Sequence, residues 1–179
     1  MKIFGLLRGA VLGWIDIVAG RAGWRDRFSF TGAGLIMALV VFALVALIVT
    51  LFETTGESIS GFGIGAALVV EMMAVLAIVV ASFAVKIVTR SAGPVRELIV
   101  PGIYALVPYV LVRAIMVAFA APLVTLVLLG LAFLMFRLGR MAGPWRWPAA
   151  LAFAVLMIVL LVGMPLTLYI VGNPANSPI

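Results

Sequence analysis

Thr31–Phe52 reads TGAGLIMALVVFALVALIVTLF, an apolar run with no charged residue in it. Crossing a hydrocarbon layer about 30 Å thick takes about 20 apolar residues at ~1.5 Å of rise each, and this run supplies them. The rest of the chain is of the same kind. Of its 179 residues, 66% are hydrophobic and 10% charged, against roughly 45–50% and about 25% in soluble domains. Too little polar surface exists to cover a water-soluble globule, and a disordered chain needs the opposite balance. The sequence predicts an all-α, polytopic membrane bundle formed as one compact unit.

Working outward, residues 62–88 form a second span, apolar over Phe62–Val85 except for Glu71 and closed by Lys86. A third covers 98–120 and carries Pro101, Pro108 and Arg113. The fourth is short, 122–136, and the fifth is 148–171. Ala120-Ala121-Pro122 must turn very tightly between spans three and four, with Pro122 suited to a first helical turn. A re-entrant pair is the alternative at that point. A short tail, 172–179, closes the chain.

Lys and Arg accumulate on the cytoplasmic side of short loops. Here Lys2, Arg8, Arg21, Arg25 and Arg27 precede span one, Lys86, Arg90 and Arg96 follow span two, and Arg137, Arg140 and Arg146 follow span four. Five spans therefore place all but one of the 12 basic residues on one side, with Arg113 within the membrane. The N-terminus is expected in the cytoplasm and the C-terminus outside. Ala, Val, Gly and Arg usage leans towards a bacterial inner membrane. Trp145, Trp147 and Tyr169 fall where interfacial aromatic anchors are expected.

Residues 1–30 do not read as a cleavable signal, because Arg8 and Asp16 interrupt any hydrophobic core. At helical spacing Phe4, Leu7, Val11, Trp14, Ile15 and Val18 share one face, while Lys2, Gly5, Arg8, Gly9, Gly13 and Asp16 share the other. This pattern fits an amphipathic interfacial helix, apolar in the acyl boundary and basic towards anionic headgroups of the bilayer. A cytoplasmic helix packed beneath the bundle is the alternative. Gly5, Gly9 and Gly13 form a small-residue stripe suited to a close helix neighbour, as do Gly61 and Gly65 at the start of span two.

The chain has no Cys and no His, which removes thiolate chemistry, the commonest general base and the commonest metal ligand. Its carboxylates are Asp16, Asp26, Glu53, Glu57, Glu71 and Glu97, with no paired spacing. No catalytic residue, metal or cofactor is expected. The basic clusters are explained by orientation and lipid, so no nucleic-acid partner is expected. Glu71 and Arg113 stand out instead, since a charge within a span costs ~2.5–3.5 kcal/mol and usually faces a partner or water. Counted from the outer ends of antiparallel spans, they lie ~13 Å and ~10 Å deep. Opposite signs at matched depth predict an ion pair, with Tyr109 one turn before Arg113 able to cap it. Such a pair either fixes helix register or marks a substrate, ion or proton path. Pro101, Gly102, Pro108 and Pro165 are expected to kink or break their helices, most of all at Pro101-Gly102.

The stretch Gly102-Ile103-Tyr104-Ala105-Leu106-Val107-Pro108-Tyr109-Val110-Leu111, with the lead-in Arg90-Ser91-Ala92-Gly93-Pro94-Val95-Arg96, resembles the bacterial form of the Yip (Ypt-interacting protein) family. In that resemblance Tyr104 and Pro108 carry the motif, and the likeness extends over residues 1–171. Glu71 and Arg113 lie outside it. It implies a cytoplasmic amphipathic N-terminus, five spans, and a non-enzymatic role in partner binding or membrane shaping. The expected function is thus a scaffold or accessory subunit, meeting a membrane protein partner or forming a homo-oligomer. The alternative is a small transporter or channel component built on Glu71 and Arg113.

Overall fold

The computed structural model describes residues 2–53, 61–90, 93–119, 123–143 and 145–172. Among these every regular element is helical: α1 (Lys2–Ala19), a 3₁₀ turn (Ala22–Arg27), α2 (Gly32–Glu53), α3 (Gly61–Thr89), α4 (Arg96–Phe119), α5 (Val124–Ala142) and α6 (Trp147–Gly172). Helices α2 to α6 are each long and apolar enough to cross a bilayer, which makes the chain an integral membrane protein. The turn expected at Ala120–Pro122 and the tail from residue 173 lie outside the described residues.

α4 is the hub. It packs against α2, α3 and α5, while α6 closes the bundle against α3 and α5. More than half of α4's apolar window is buried, more than in any other span. Ile103, Leu106 and Val110 are fully enclosed, together with Ala77 and Ile78 of α3, Phe42 of α2 and Met157 of α6.

The break expected at Pro101-Gly102 does not occur. α4 runs unbroken through Pro101 and Pro108, and α6 through Pro165. A helix proline costs one intrahelical hydrogen bond, and neighbouring helices in a bundle hold the segment in place regardless. Gly102 has a different task. A Cβ there would stand 3.0 Å from Ile78 Cδ1, so its hydrogen lets α3 approach α4 closely.

α5 also departs from expectation, continuing to Ala142 rather than ending near Phe136. Arg137 and Arg140 sit on its emergent end, where each donates to a carbonyl: Arg137 to Val18 O at 2.6 Å and Ile17 O at 3.2 Å, Arg140 to Trp145 O at 3.2 Å. The Arg137 contact supplies a cation and donors to the C-terminal carbonyls of α1, where both are favourable. Arg25 ties the 3₁₀ turn to the same end, pairing with Glu97 at 2.9 Å and donating to Ala142 O at 3.1 Å. Trp24 is fully buried beneath it, edge-on to Phe28 and Phe30, and Phe28 reaches Tyr104 at 6.0 Å between ring centroids. The N-terminal segment is therefore folded onto the basic end of the bundle.

The two faces of α1 are used unequally. Gly13 meets the Phe28 ring and Gly9 the Arg27 carbonyl, while Asp16 pairs with Arg21 at 3.4 Å and Arg27 at 3.6 Å. That face is thus covered by protein at Gly9, Gly13 and Asp16. Val11, Ile15 and Val18 remain exposed on the other side. A Cβ at Gly5 or Gly65 would meet nothing within 4 Å among the described residues, so no close approach is seen there; Gly61 is the first residue of α3, and its surroundings lie outside the described residues. Trp147 and Tyr169 are exposed near opposite ends of α6, but Trp145 is buried against Phe153 at 5.9 Å and anchors no interface.

Candidate functional site

At the far end of the bundle from the basic loops, α2, α3 and α4 bring three charges to one point. Arg113 donates from Nη2 to Glu71 Oε1 and lies 3.6 Å from Glu53 Oε1. The Glu71 side chain is 8% exposed, Arg113 22% and Glu53 36%, so the cluster grades from buried to open. Tyr109, one turn before Arg113, interacts with both Arg113 and Glu71. Thr50, one turn before Glu53 on α2, is buried beside them.

Matched depth brought Glu71 and Arg113 together, and the structure adds Glu53. In the sequence Glu53 stands just past span one (31–52), outside the expected pair; in the structure it closes α2. Glu53 is the last residue of α2 and Glu71 the eleventh of α3, and Arg113 of α4 reaches both. The available signal was Glu53's place as the first charge after span one, on the side towards which both Glu71 and Arg113 are displaced.

The cluster opens into a cleft of about 750 Å³ walled by Thr50, Glu53, Val70, Glu71, Arg113 and Val117. Two carboxylates against one guanidinium leave it with a formal charge of −1. Arg113 Nε is buried with no hydrogen-bond partner among the described residues. No group of three His, Cys, Asp or Glu able to hold a metal exists among the described residues.

Tyr104, Pro101 and Pro108 lie towards the basic end. Tyr104 and Pro108 line a groove of about 690 Å³ between α4 and α1, whose opposite wall includes Leu7, Val11 and Ile15. Trp14 crosses to α4 and donates from Nε1 to the Pro101 carbonyl at 3.1 Å. Pro165 stands apart from both sites, in the last third of α6, where Thr167 donates to the Gly163 carbonyl at 2.8 Å.

The two ends thus differ in chemistry. One holds a cluster of charges satisfied largely by each other; the other holds a docked N-terminal segment and an apolar groove. Compared with family models, curated proteins and solved structures, the chain matches none.

Proposed function

We propose that this protein is a non-enzymatic scaffold or accessory subunit of a bacterial inner membrane, Yip-like in layout, with its N-terminus in the cytoplasm. The observation that carries the reading is the pairing of Arg113 with Glu71 and Glu53. The charges of this cluster are largely paired, leaving a formal −1 at its open side, so most of what the spans offer outward is apolar contact surface. In this reading the cluster locks the register of α2, α3 and α4. A buried ion pair is well suited to that, since misregister leaves an uncompensated charge. Helix α1 lies in the interface, its Val11, Ile15 and Val18 face in the acyl boundary. The basic end faces anionic headgroups, and a membrane protein partner or a second copy docks on the spans.

A second reading is supported by the cleft into which Glu53, Glu71 and Arg113 open. There the cluster would be a charged point on a transport path. Glu71→Gln separates the two. A scaffold loses stability in thermal unfolding, whereas a conduit stays folded and loses flux across proteoliposomes. A normally folded variant without flux would refute the scaffold reading.

A further inference from the structure

A second cleft runs along the same α2–α3 seam at its basic end, backed by α4. Its volume is about 760 Å³, and Leu39, Val79, Phe83 and Ile99 are among its walls. The only charged residue lining it is Arg96, at the first position of α4. Arg96 is exposed and has no ion-pair or hydrogen-bond partner among the described residues. This sets it apart from Arg25, Arg137 and Arg140, which are committed to Glu97 and to helix carbonyls. Lys86, three residues after Phe83 on α3, lines the neighbouring pocket with Leu98, Ala142 and Trp145 and is not part of this cleft.

The dimensions match one half of a bilayer. From Arg96 to Ile103 the cleft descends ~10 Å along α4, within the ~15 Å of one leaflet. An apolar trench open sideways to lipid is filled by hydrocarbon, because its walls offer water no hydrogen bonds. A cation at the mouth adds selection for a negative group attached to that hydrocarbon. We propose that this trench is a binding site for an anionic phospholipid, with one acyl chain between α2 and α3 and the phosphate at Arg96. The groove between α1 and α4 has no charged lining residue, so it lacks the element that would select a headgroup.

The test uses the full chain in nanodiscs of mixed phosphatidylglycerol and phosphatidylcholine. After transfer to mild detergent, native mass spectrometry counts the lipids that stay bound. The expected result is preferential retention of one phosphatidylglycerol. Arg96→Gln should lower its ratio to phosphatidylcholine about fivefold, the effect of one basic residue beside an anionic headgroup. Arg146→Gln, at an exposed arginine that lines neither cleft, should leave the ratio unchanged. Leu39→Trp fills the trench without altering charge and should reduce the retained lipid while helix content by circular dichroism stays constant. Equal losses from Arg96→Gln and Arg146→Gln would overturn the proposal, as diffuse surface charge would then explain the preference. Full retention in a folded Leu39→Trp protein would overturn it as well. Should Leu39→Trp not fold, the Arg96→Gln and Arg146→Gln comparison, at two exposed positions, decides alone.

Discussion

Arg113 holds two carboxylates from two other helices, so its removal leaves Glu71 buried and unpaired. Truncating one partner of a buried pair typically costs about 3–5 kcal/mol, while replacing the whole pair by apolar residues of similar volume is often neutral. Arg113→Ala should therefore unfold at a markedly lower temperature than wild type. The triple variant Glu53→Gln, Glu71→Leu, Arg113→Met should recover most of the loss in the same thermal scan. Glycines make a second residue-scale case. Gly5, Gly9 and Gly13 form one even stripe in the sequence, yet the structure separates them: a Cβ at Gly13 would fall 2.4 Å from Phe28 Cε2, whereas at Gly5 it would meet nothing within 4 Å. Gly13→Ala should cost about 1–3 kcal/mol by overpacking, and Gly5→Ala should add about 0.5–1 kcal/mol through helix propensity. Spacing alone could not divide the stripe, since the Phe28 ring reaches Gly13 only after the chain reverses through the 3₁₀ turn.

Among the elements, the spans were legible because bilayer thickness and hydropathy set them almost alone. Where α5 ends was less so, because Arg137 and Arg140 look like residues that leave a helix until their carbonyl partners are known. The prolines of α4 misled for a related reason. Their cost is local and visible in sequence, while the packing that offsets it comes from α2, α3 and α5. The N-terminal segment was the least legible. Its docking uses contacts distant along the chain, among them those of Arg25, whose partners lie 72 and 117 positions away. Arg25→Gln should loosen the segment without affecting the spans, and trypsin should then cleave at Arg21 and Arg27 several-fold faster while the membrane-embedded core stays intact. Cleavage at the wild-type rate would show that Trp14, buried Trp24 and Arg137 hold the segment without Arg25.

Taken as a whole molecule, the chain is polarised along the bundle axis. The basic residues and the docked α1 sit at one end, and a cluster of formal charge −1 sits at the other. The positive-inside tendency then orients it with the basic end in the cytoplasm. A chain without Cys is convenient for testing this. A single cysteine introduced as Arg90→Cys should be labelled by an impermeant maleimide only after the membrane is opened, and Glu57→Cys should be labelled in intact cells. The reverse pattern would invert the topology and, with it, the leaflet assigned to the lipid site.

The central claim, that this bundle serves as a partner-binding scaffold with its inner charges spent on register, is tested most directly by native mass after gentle extraction from its own membrane. The account predicts one defined species of fixed stoichiometry, larger than the 18.9 kDa chain with its bound lipid. That species should persist when the Glu53, Glu71 and Arg113 cluster is replaced by neutral residues in a folded protein. A lone monomer at physiological abundance would contradict the claim and turn attention to flux through the cleft at Glu71.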